Sequence, residues 1–376
     1  MLEYRKSLII VARSGRALAQ SARRGGWLPL VADAFADVDT KAAAHRTVQV
    51  AMDKGGLNER QLPGALSGLP DDDAGLVYGA GLEAQPRLLE RLGERYRIIG
   101  NAPEIVRSVK DPRTFFQTLN ALKIPFPETR FESPKNRNGL WLTKHALGAG
   151  GGHVQLWNRG SVAEHQHYFQ RYLPGPAVSA LFVADGRRAQ IIGYNTQWQC
   201  AAGAQSFAYA GAVNRACLTS AQRGIIAGHV KALTRVFGLR GLNGLDFILC
   251  HRTALVLEIN PRPTATCELY EPDTRDGMVA VHVRACSGEL EQCSTARRTK
   301  VRAHAIMYAQ SPCHTSMNMQ WPRWCRDLPR GGSDFAVGEP VCSVHAEGKD
   351  VTAVQQLIRT LRQSVVISFN PRPLAA

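Results

Sequence analysis

Residues 244–249 (GLDFIL) and 255–262 (LVLEINPR) are apolar runs separated by a short turn at His251-Arg252. Two such runs around a tight connection fold as a β-hairpin. The polar residues within it constrain the chain most. Glu258 and Asn260 are two positions apart, so on one strand they point to one face. Asp246 on the partner run can face them. Carboxylates buried in an otherwise apolar hairpin need a charge partner. Hard oxygen donors on one face suit Mg²⁺, which keeps waters and takes phosphate oxygens as further ligands. Arg262, just past the second run, carries a permanent planar charge suited to a transferring phosphoryl group.

The chain ahead of this hairpin begins with alternating strands and helices. Residues 7–12 (SLIIVA) form a short β-branched run that reads as a buried strand. Helical spacing over 15–24 ends at Gly25-Gly26, and 27–32 (WLPLVA) reads as a second strand. Strand, helix, strand at this spacing predicts a βαβ unit with parallel strands. A strand at 75–78, a helix at 85–92 and a strand at 96–99 complete a small α/β domain over residues 1–101. No G-x-G-x-x-G follows the first strand, which argues against a dinucleotide site there.

Residues 102–122 read as two helices, the second opened by Pro112. Residues 123–129 (KIPFPET) are extended, because each proline restricts itself and its predecessor. A turn-rich break at 133–139 precedes strands at 140–143 and 153–156, a strand-rich stretch over 167–195 and a helix over 220–237. Beyond residue 300 come strands at 304–308 and 341–345, a helix at 351–363 and a strand at 364–368. The expected architecture is α/β (α+β), with domains at 1–101 and 102–295, a lid over about 135–175, and a C-terminal segment, 296–376, packing on the core.

Three further features carry chemistry. Lys144 ends an apolar strand and is followed by a loop holding Gly148, Gly150, Gly151 and Gly152. Glycines let backbone N–H groups approach phosphates. The loop is not a Walker motif, since G-x-x-x-x-G-K-[ST] is absent. Gln170, Arg171, Tyr172 and Leu173 run into Pro174-Gly175, where exposed backbone can meet an adenine edge. Lys110 in V-K-D-P reads alone as solvated surface, and only its context promotes it.

The net charge of +15 and pI near 9.7 favour anionic small molecules, nucleotides, nucleic acid or anionic membranes. Basic residues are scattered; the densest run is Arg297, Arg298, Lys300 and Arg302. With no aromatic-interleaved basic motif, nucleic acid is not an expected partner. No stretch approaches the length of a membrane span and no signal-like apolar core follows Met1, so a cytoplasmic protein is expected. The nine cysteines include no C-x-x-C pair, which argues against a disulfide framework and structural zinc.

In this order, the features resemble the ATP-grasp superfamily over almost the whole chain. Lys110 ahead of K-I-P-F-P-E-T is similar to the family's first ATP lysine before G-I-P-x-P-x-T. Lys144 and its glycine loop resemble the second lysine and phosphate cover. Residues 170–173 resemble the adenine hinge, with the main chain of Arg171 and Leu173 on the base. Asp246, Glu258 and Asn260 resemble the magnesium ligands, and Arg262 the arginine of E-I-N-x-R. Within the superfamily, Gly79-Ala80-Gly81-Leu82-Glu83, Gly100-Asn101-Ala102-Pro103-Glu104 and G-E-P-V-C-S-V at 338–344 resemble the tyramine–glutamate ligase-like group of methanofuran- and tetrahydromethanopterin-linked one-carbon metabolism. Two positions depart. Arg171 stands where many members carry Glu, and Ala177 where many place an acid for the ribose hydroxyls.

The resemblance implies an ATP- and Mg²⁺-dependent ligase joining a carboxylate to an amine through an acyl phosphate. Lys144 and Arg262 are the expected catalytic residues, and Gln197, Tyr209 and Arg215 the expected substrate contacts. Glutamate fits the positive charge as the carboxylate. Expected partners are these small molecules and a second copy of the chain. The rival readings are a biotin-carboxylase-like enzyme activating bicarbonate and a non-catalytic nucleotide-binding protein on the same scaffold.

Overall fold

The N-terminal domain is built on a four-stranded parallel sheet. Its strands are β1 (Ser7–Ala12), β2 (Leu28–Asp33), β3 (Arg46–Gln49) and β4 (Gly75–Tyr78), in the spatial order β3-β2-β1-β4. The computed structural model describes residues 6–53, 56–69, 74–134, 139–148, 150–158, 167–290, 300–366 and 370–371. Between β1 and β2 runs α1 (Arg16–Arg24), so the βαβ reading holds. Alternate side chains of β1 go to opposite faces: Ile9 and Val11 pack with one apolar cluster, Leu8 and Ile10 with another. Both faces are covered, which is why the run is apolar throughout.

Helix α2 (Pro86–Arg95) is followed by α3 (Pro103–Lys110) and α4 (Pro112–Ala121), each opened by a proline in its first turn. Asp111 ends α3 and caps α4 by accepting the Thr114 N–H at 3.0 Å. This junction fixes the place of Lys110. A second four-stranded sheet follows: β5 (Thr129–Arg130), β6 (Trp141–His145), β7 (Val154–Leu156) and β8 (His167–Arg171), in the order β5-β8-β6-β7.

The main sheet has eight strands. They are β9 (Ala177–Asp185), β10 (Ala189–Ala202), β11 (Gln205–Val213), β12 (Arg240–Cys250), β13 (Thr253–Asn260), β14 (Val301–Tyr308), β15 (Cys325–Arg326) and β16 (Pro340–Gly348). Their order is β13-β12-β9-β10-β11-β14-β16-β15. Phe182 and Ala184 of β9 face the cluster packed on α5 (Ser220–Phe237), while Leu181 and Val183 face that packed on α6 (Met278–Cys286). Thr219 and Gln222 form a capping box at the start of α5, and Gly238 at φ 72° ends it. Pairing of Gly211 with Ala305 carries the sheet from β11 into the C-terminal segment.

Two expected strands are corrected. Residues 96–99 form only an isolated bridge, Leu76 to Ile98. Leu76 gives its N–H to Arg97 O at 2.9 Å and accepts the Ile99 N–H at 2.7 Å, after which the chain turns away at Gly100. Residues 364–366 belong to α7 (Val351–Val366), and 367–369 lie outside the described residues. Val354, Ile358, Leu361 and Val365 recur at helical spacing and pack on β14 and β16. Cys293, Arg297 and Arg298 also lie outside the described residues. No helix among the described residues is long and apolar enough to cross a membrane.

Candidate active site

The hairpin of β12 and β13 places Asp246 directly opposite Glu258 and Gly244 opposite Asn260. Phe247 pairs with Val256, so Leu257 is an extra residue on β13. That β-bulge lets Phe247 and Val256 remain in the core while the two carboxylates meet. Asn260 donates its amide N–H to Asp246 Oδ2 at 2.9 Å, and Gln197 on β10 donates to Oδ1 at 3.3 Å.

Both expected lysines reach this centre. Lys110 is 5% exposed, and its Nζ lies 2.9 Å from Glu258 Oε2. Lys144, also buried, donates to Gln170 Oε1 at 2.7 Å. Gln170 in turn donates to Thr129 Oγ1 at 3.1 Å, so Lys144, Gln170 and Thr129 are linked across β6, β8 and β5. Burial pushes the Lys144 ammonium down to about 8, against the pull of Glu258 and Asp246. Burial works against charge on Glu258, but Lys110 and His153 hold its carboxyl down at about 2. Burial and the Glu258 charge push Asp246 up to about 7 despite Lys110 and Arg262. Of the two facing carboxylates, Glu258 is the one with a lysine ion-pair partner, while Asp246 is held by the amides of Asn260 and Gln197.

Arg262 is held from the N-terminal domain. Its Nε donates to Glu83 Oε1 at 2.5 Å, and its Nη2 reaches Asn260 Oδ1 at 3.4 Å. Glu83 is fully buried and also accepts the Gly81 N–H at 2.6 Å. The neighbouring Pro261 carbonyl accepts from the Tyr78 hydroxyl at 3.1 Å and from Asn101 Nδ2 at 2.9 Å. In sequence the Glu83 and Asn101 segments carry only a family likeness; the fold is what brings both residues to Arg262 and Pro261. Glu83→Gln is expected to lower kcat about tenfold or more with KM for ATP little changed, since a charge-assisted bond that aims Arg262 becomes a neutral one. Steady-state kinetics with varied ATP checks this split.

The glycine loop packs on β11. Tyr209 donates its N–H to Gly150 O at 3.0 Å, and a side chain at Gly151, φ 78°, would collide with the Phe207 carbonyl. A side chain at Gly148 would collide with the His153 ring, and one at Gly152 would meet Gln205 Oε1 at 2.9 Å. The Arg171 and Tyr172 N–H groups are engaged by Glu128 O at 2.8 Å and Leu140 O at 2.9 Å. The Arg171 guanidinium sits over Trp141, 5.5 Å from the ring centre. Leu173 follows the end of β8.

Of the expected substrate contacts, Gln197 touches Asp246 at the centre itself. Tyr209 lies within electrostatic reach of Asp246 and bonds His304 Nε2 at 2.8 Å. Arg215 is exposed beyond β11, and among the described residues no hydrogen bond or ion pair joins its guanidinium to the centre.

The donor set fits Mg²⁺ with polyphosphate. Asp246, Glu258 and Asn260 offer hard oxygens, and Lys110, Lys144 and Arg262 supply buried positive charge around them. The Asp246 carboxyl also favours a cation. Asp246→Asn is expected to raise the Tm of the ligand-free protein at pH 8, by roughly 1–3 kcal/mol of stability, while abolishing turnover. A raised carboxyl contributes stability below its unfolded value that is lost as pH rises through the folded one, here about 7. The gain therefore shrinks towards pH 4, and thermal melts across pH check it.

Comparison with known proteins agrees with this geometry. Residues 109–266 match the ATP-grasp domain family. Among solved structures, a *Campylobacter jejuni* biotin carboxylase–βγ-ATP complex aligns with a TM-score of 0.72 at 13% identity, covering 96% of this chain and 91% of that one. The biotin carboxylase domain dimer of *Hydrogenobacter thermophilus* 2-oxoglutarate carboxylase, in complex with MgADP, ADP and bicarbonate, gives 0.72 at 11%, covering 98% and 91%. *Thermotoga maritima* N5-carboxyaminoimidazole ribonucleotide synthetase gives 0.65 at 13%, covering 97% and 99%. ATP-grasp enzymes use ATP with Mg²⁺. The matched region contains Lys110, Lys144, Gln170, the Asp246–Glu258–Asn260 group and Arg262, and this chain carries an ATP-grasp domain.

Proposed function

We propose that the protein is an ATP- and Mg²⁺-dependent carbon–nitrogen ligase that activates a carboxylate as an acyl phosphate and passes the acyl group to an amine. The observation that carries this reading is the buried centre in which Lys110 pairs with Glu258 while Asn260 links Asp246 to Arg262. Asp246, Glu258 and Asn260 would hold Mg²⁺, which when bound neutralises phosphate charge. Lys110 and Lys144 would bind phosphate oxygens, and the main chain of Arg171 and Leu173 the base. Arg262, aimed by Glu83, would stabilise charge on the transferring phosphoryl group. The loop of Gly148, Gly150, Gly151 and Gly152 would keep water from the acyl phosphate.

The finer reading is addition of glutamate to a precursor of a one-carbon carrier. Its support is the tyramine–glutamate ligase-like resemblance and the net charge of +15. A cytoplasmic enzyme with domain limits at 101/102 and 295/296 completes the proposal. The test is ADP release from Mg-ATP across panels of carboxylates, including glutamate and bicarbonate, with and without amines. The expected result is release that requires both a carboxylate and an amine. Turnover with bicarbonate alone contradicts the ligase reading in favour of a carboxylase, and binding of ATP without turnover favours a non-catalytic scaffold.

A further inference from the structure

Between Asn260 and Arg262 a single peptide is held at both ends. The Arg262 N–H donates to Asn260 O at 2.9 Å, which closes a three-residue turn around Pro261. The other end of that peptide is the Pro261 carbonyl. It accepts from Asn101 Nδ2 at 2.9 Å and from the Tyr78 hydroxyl at 3.1 Å. A peptide is planar, and proline fixes its own φ. Holding both ends therefore fixes the plane, and with it the direction in which the Arg262 side chain leaves the backbone. The same plane sets the approach of Arg262 Nη2 to Asn260 Oδ1, 3.4 Å.

Both donors come from the N-terminal domain and both are fully buried. Tyr78 ends β4, and its hydroxyl also donates to the main-chain oxygen of Asn101 at 2.8 Å. The Asn101 side chain makes its other bonds outside its own domain. Nδ2 donates to Asn243 Oδ1 at 2.8 Å, and Oδ1 accepts the Arg240 N–H at 2.8 Å. Asn243, equally buried, spends its own amide N–H groups on Gly241 O at 2.9 Å and Arg240 O at 3.2 Å, which leaves its oxygen for Asn101. Asn101 thus joins the start of β12 to the turn at the end of β13, the strands that bear Asp246, Glu258 and Asn260. It stands just ahead of α3, whose last residue is Lys110.

Simple cement between the same two segments lies alongside. His282 on α6 donates its Nε2–H to Ile99 O at 2.9 Å and accepts the Leu242 N–H at Nδ1, also at 2.9 Å. That link does not touch the Pro261 peptide. A buried amide is costly unless its donors are met, and Asn101 spends one of its two on the peptide that separates Asn260 from Arg262. We infer that Asn101 and Tyr78 are positioning residues: they hold the Pro261 peptide and through it aim Arg262 and Asn260. They act on the main chain, where Glu83 acts on the guanidinium. The consequence for phosphoryl transfer rests on the ligase reading; the hold on Arg262 does not.

The test reads Arg262 itself, through the nitrogen–proton NMR resonance of its Nε–H in the ligand-free protein, assigned by its absence in Arg262→Lys. Asn101→Ala removes the amide, Tyr78→Phe removes only a hydroxyl, and His282→Gln is the control. In Asn101→Ala the Nε–H is expected to shift and to exchange with water about tenfold faster, the scale of one lost hydrogen bond. Tyr78→Phe should show a smaller change of the same kind, and it decides alone if Asn101→Ala fails to fold. His282→Gln should lower Tm with the Arg262 resonance in place. In turnover, Asn101→Ala is expected to lose about five- to tenfold in kcat with KM for ATP little changed. An unmoved Arg262 resonance in the folded variants, or an equal change in His282→Gln, overturns the inference. A wild type without carboxylate-dependent ADP release sinks the ligase, and the resonance still decides on Asn101 and Tyr78.

Discussion

Glu258→Gln is expected to lower turnover by about 10³-fold while leaving the protein folded, the scale of losing one preorganised charge in a catalytic site. Gln keeps the shape and one oxygen donor but removes the ionised carboxylate that faces Asp246 and pairs with Lys110. Two structural effects oppose each other. Lys110 is left buried without its ion-pair partner, which costs roughly 1–3 kcal/mol. Asp246 is relieved of the like charge that helps raise its carboxyl, which offsets part of that cost. The expected Tm is therefore modestly lower, and the kinetic loss far exceeds the stability loss. Turnover assays paired with thermal melts make the comparison. Near-normal turnover in a folded variant sinks the metal assignment.

Arg262→Lys carries the second large effect. Arg262 uses separate guanidinium nitrogens for Glu83, the Pro263 carbonyl at 3.2 Å and Asn260. A lysine ammonium is a point charge and cannot reproduce that planar fork. The charge survives, so ATP affinity should change little, while kcat falls by about 10²–10³-fold because aimed stabilisation of the transition state is lost. An equal loss in ATP binding and in kcat contradicts the assigned role. A smaller loss of the same kind in Glu83→Gln places the two residues on one device, and a double-mutant cycle measures their coupling.

The clustering of Asp246, Glu258 and Asn260 was legible because its logic is local. Glu258 and Asn260 share a face by strand parity, and Asp246 sits on the paired run of the same hairpin. The bulge at Leu257 was not legible; it follows from packing Phe247 and Val256 into the core. Glu83 was invisible as a partner of Arg262, because the two are 179 residues apart and joined only by folding. Arg16 on α1 is buried against Glu268 and Asp327, which lie 252 and 311 residues away in the chain and meet it only through folding. Residues 96–99 and 364–368 misled because β-branched runs suit strands locally. At the first, the edge of a sheet offered one bridge; at the second, residues 364–366 continue the helical spacing of α7. Arg215, named because its charge suits a carboxylate, lies exposed beyond β11.

The most direct test of the central claim is interception of the activated carboxylate. The wild-type protein is incubated with Mg-ATP, glutamate or another carboxylate, and hydroxylamine in place of the amine, and hydroxamate is measured against ADP. Hydroxamate that forms in step with ADP, requires the carboxylate and vanishes in Glu258→Gln is the predicted result. ADP formed from a carboxylate and its amine without any hydroxamate when hydroxylamine replaces that amine would contradict the acyl-phosphate account.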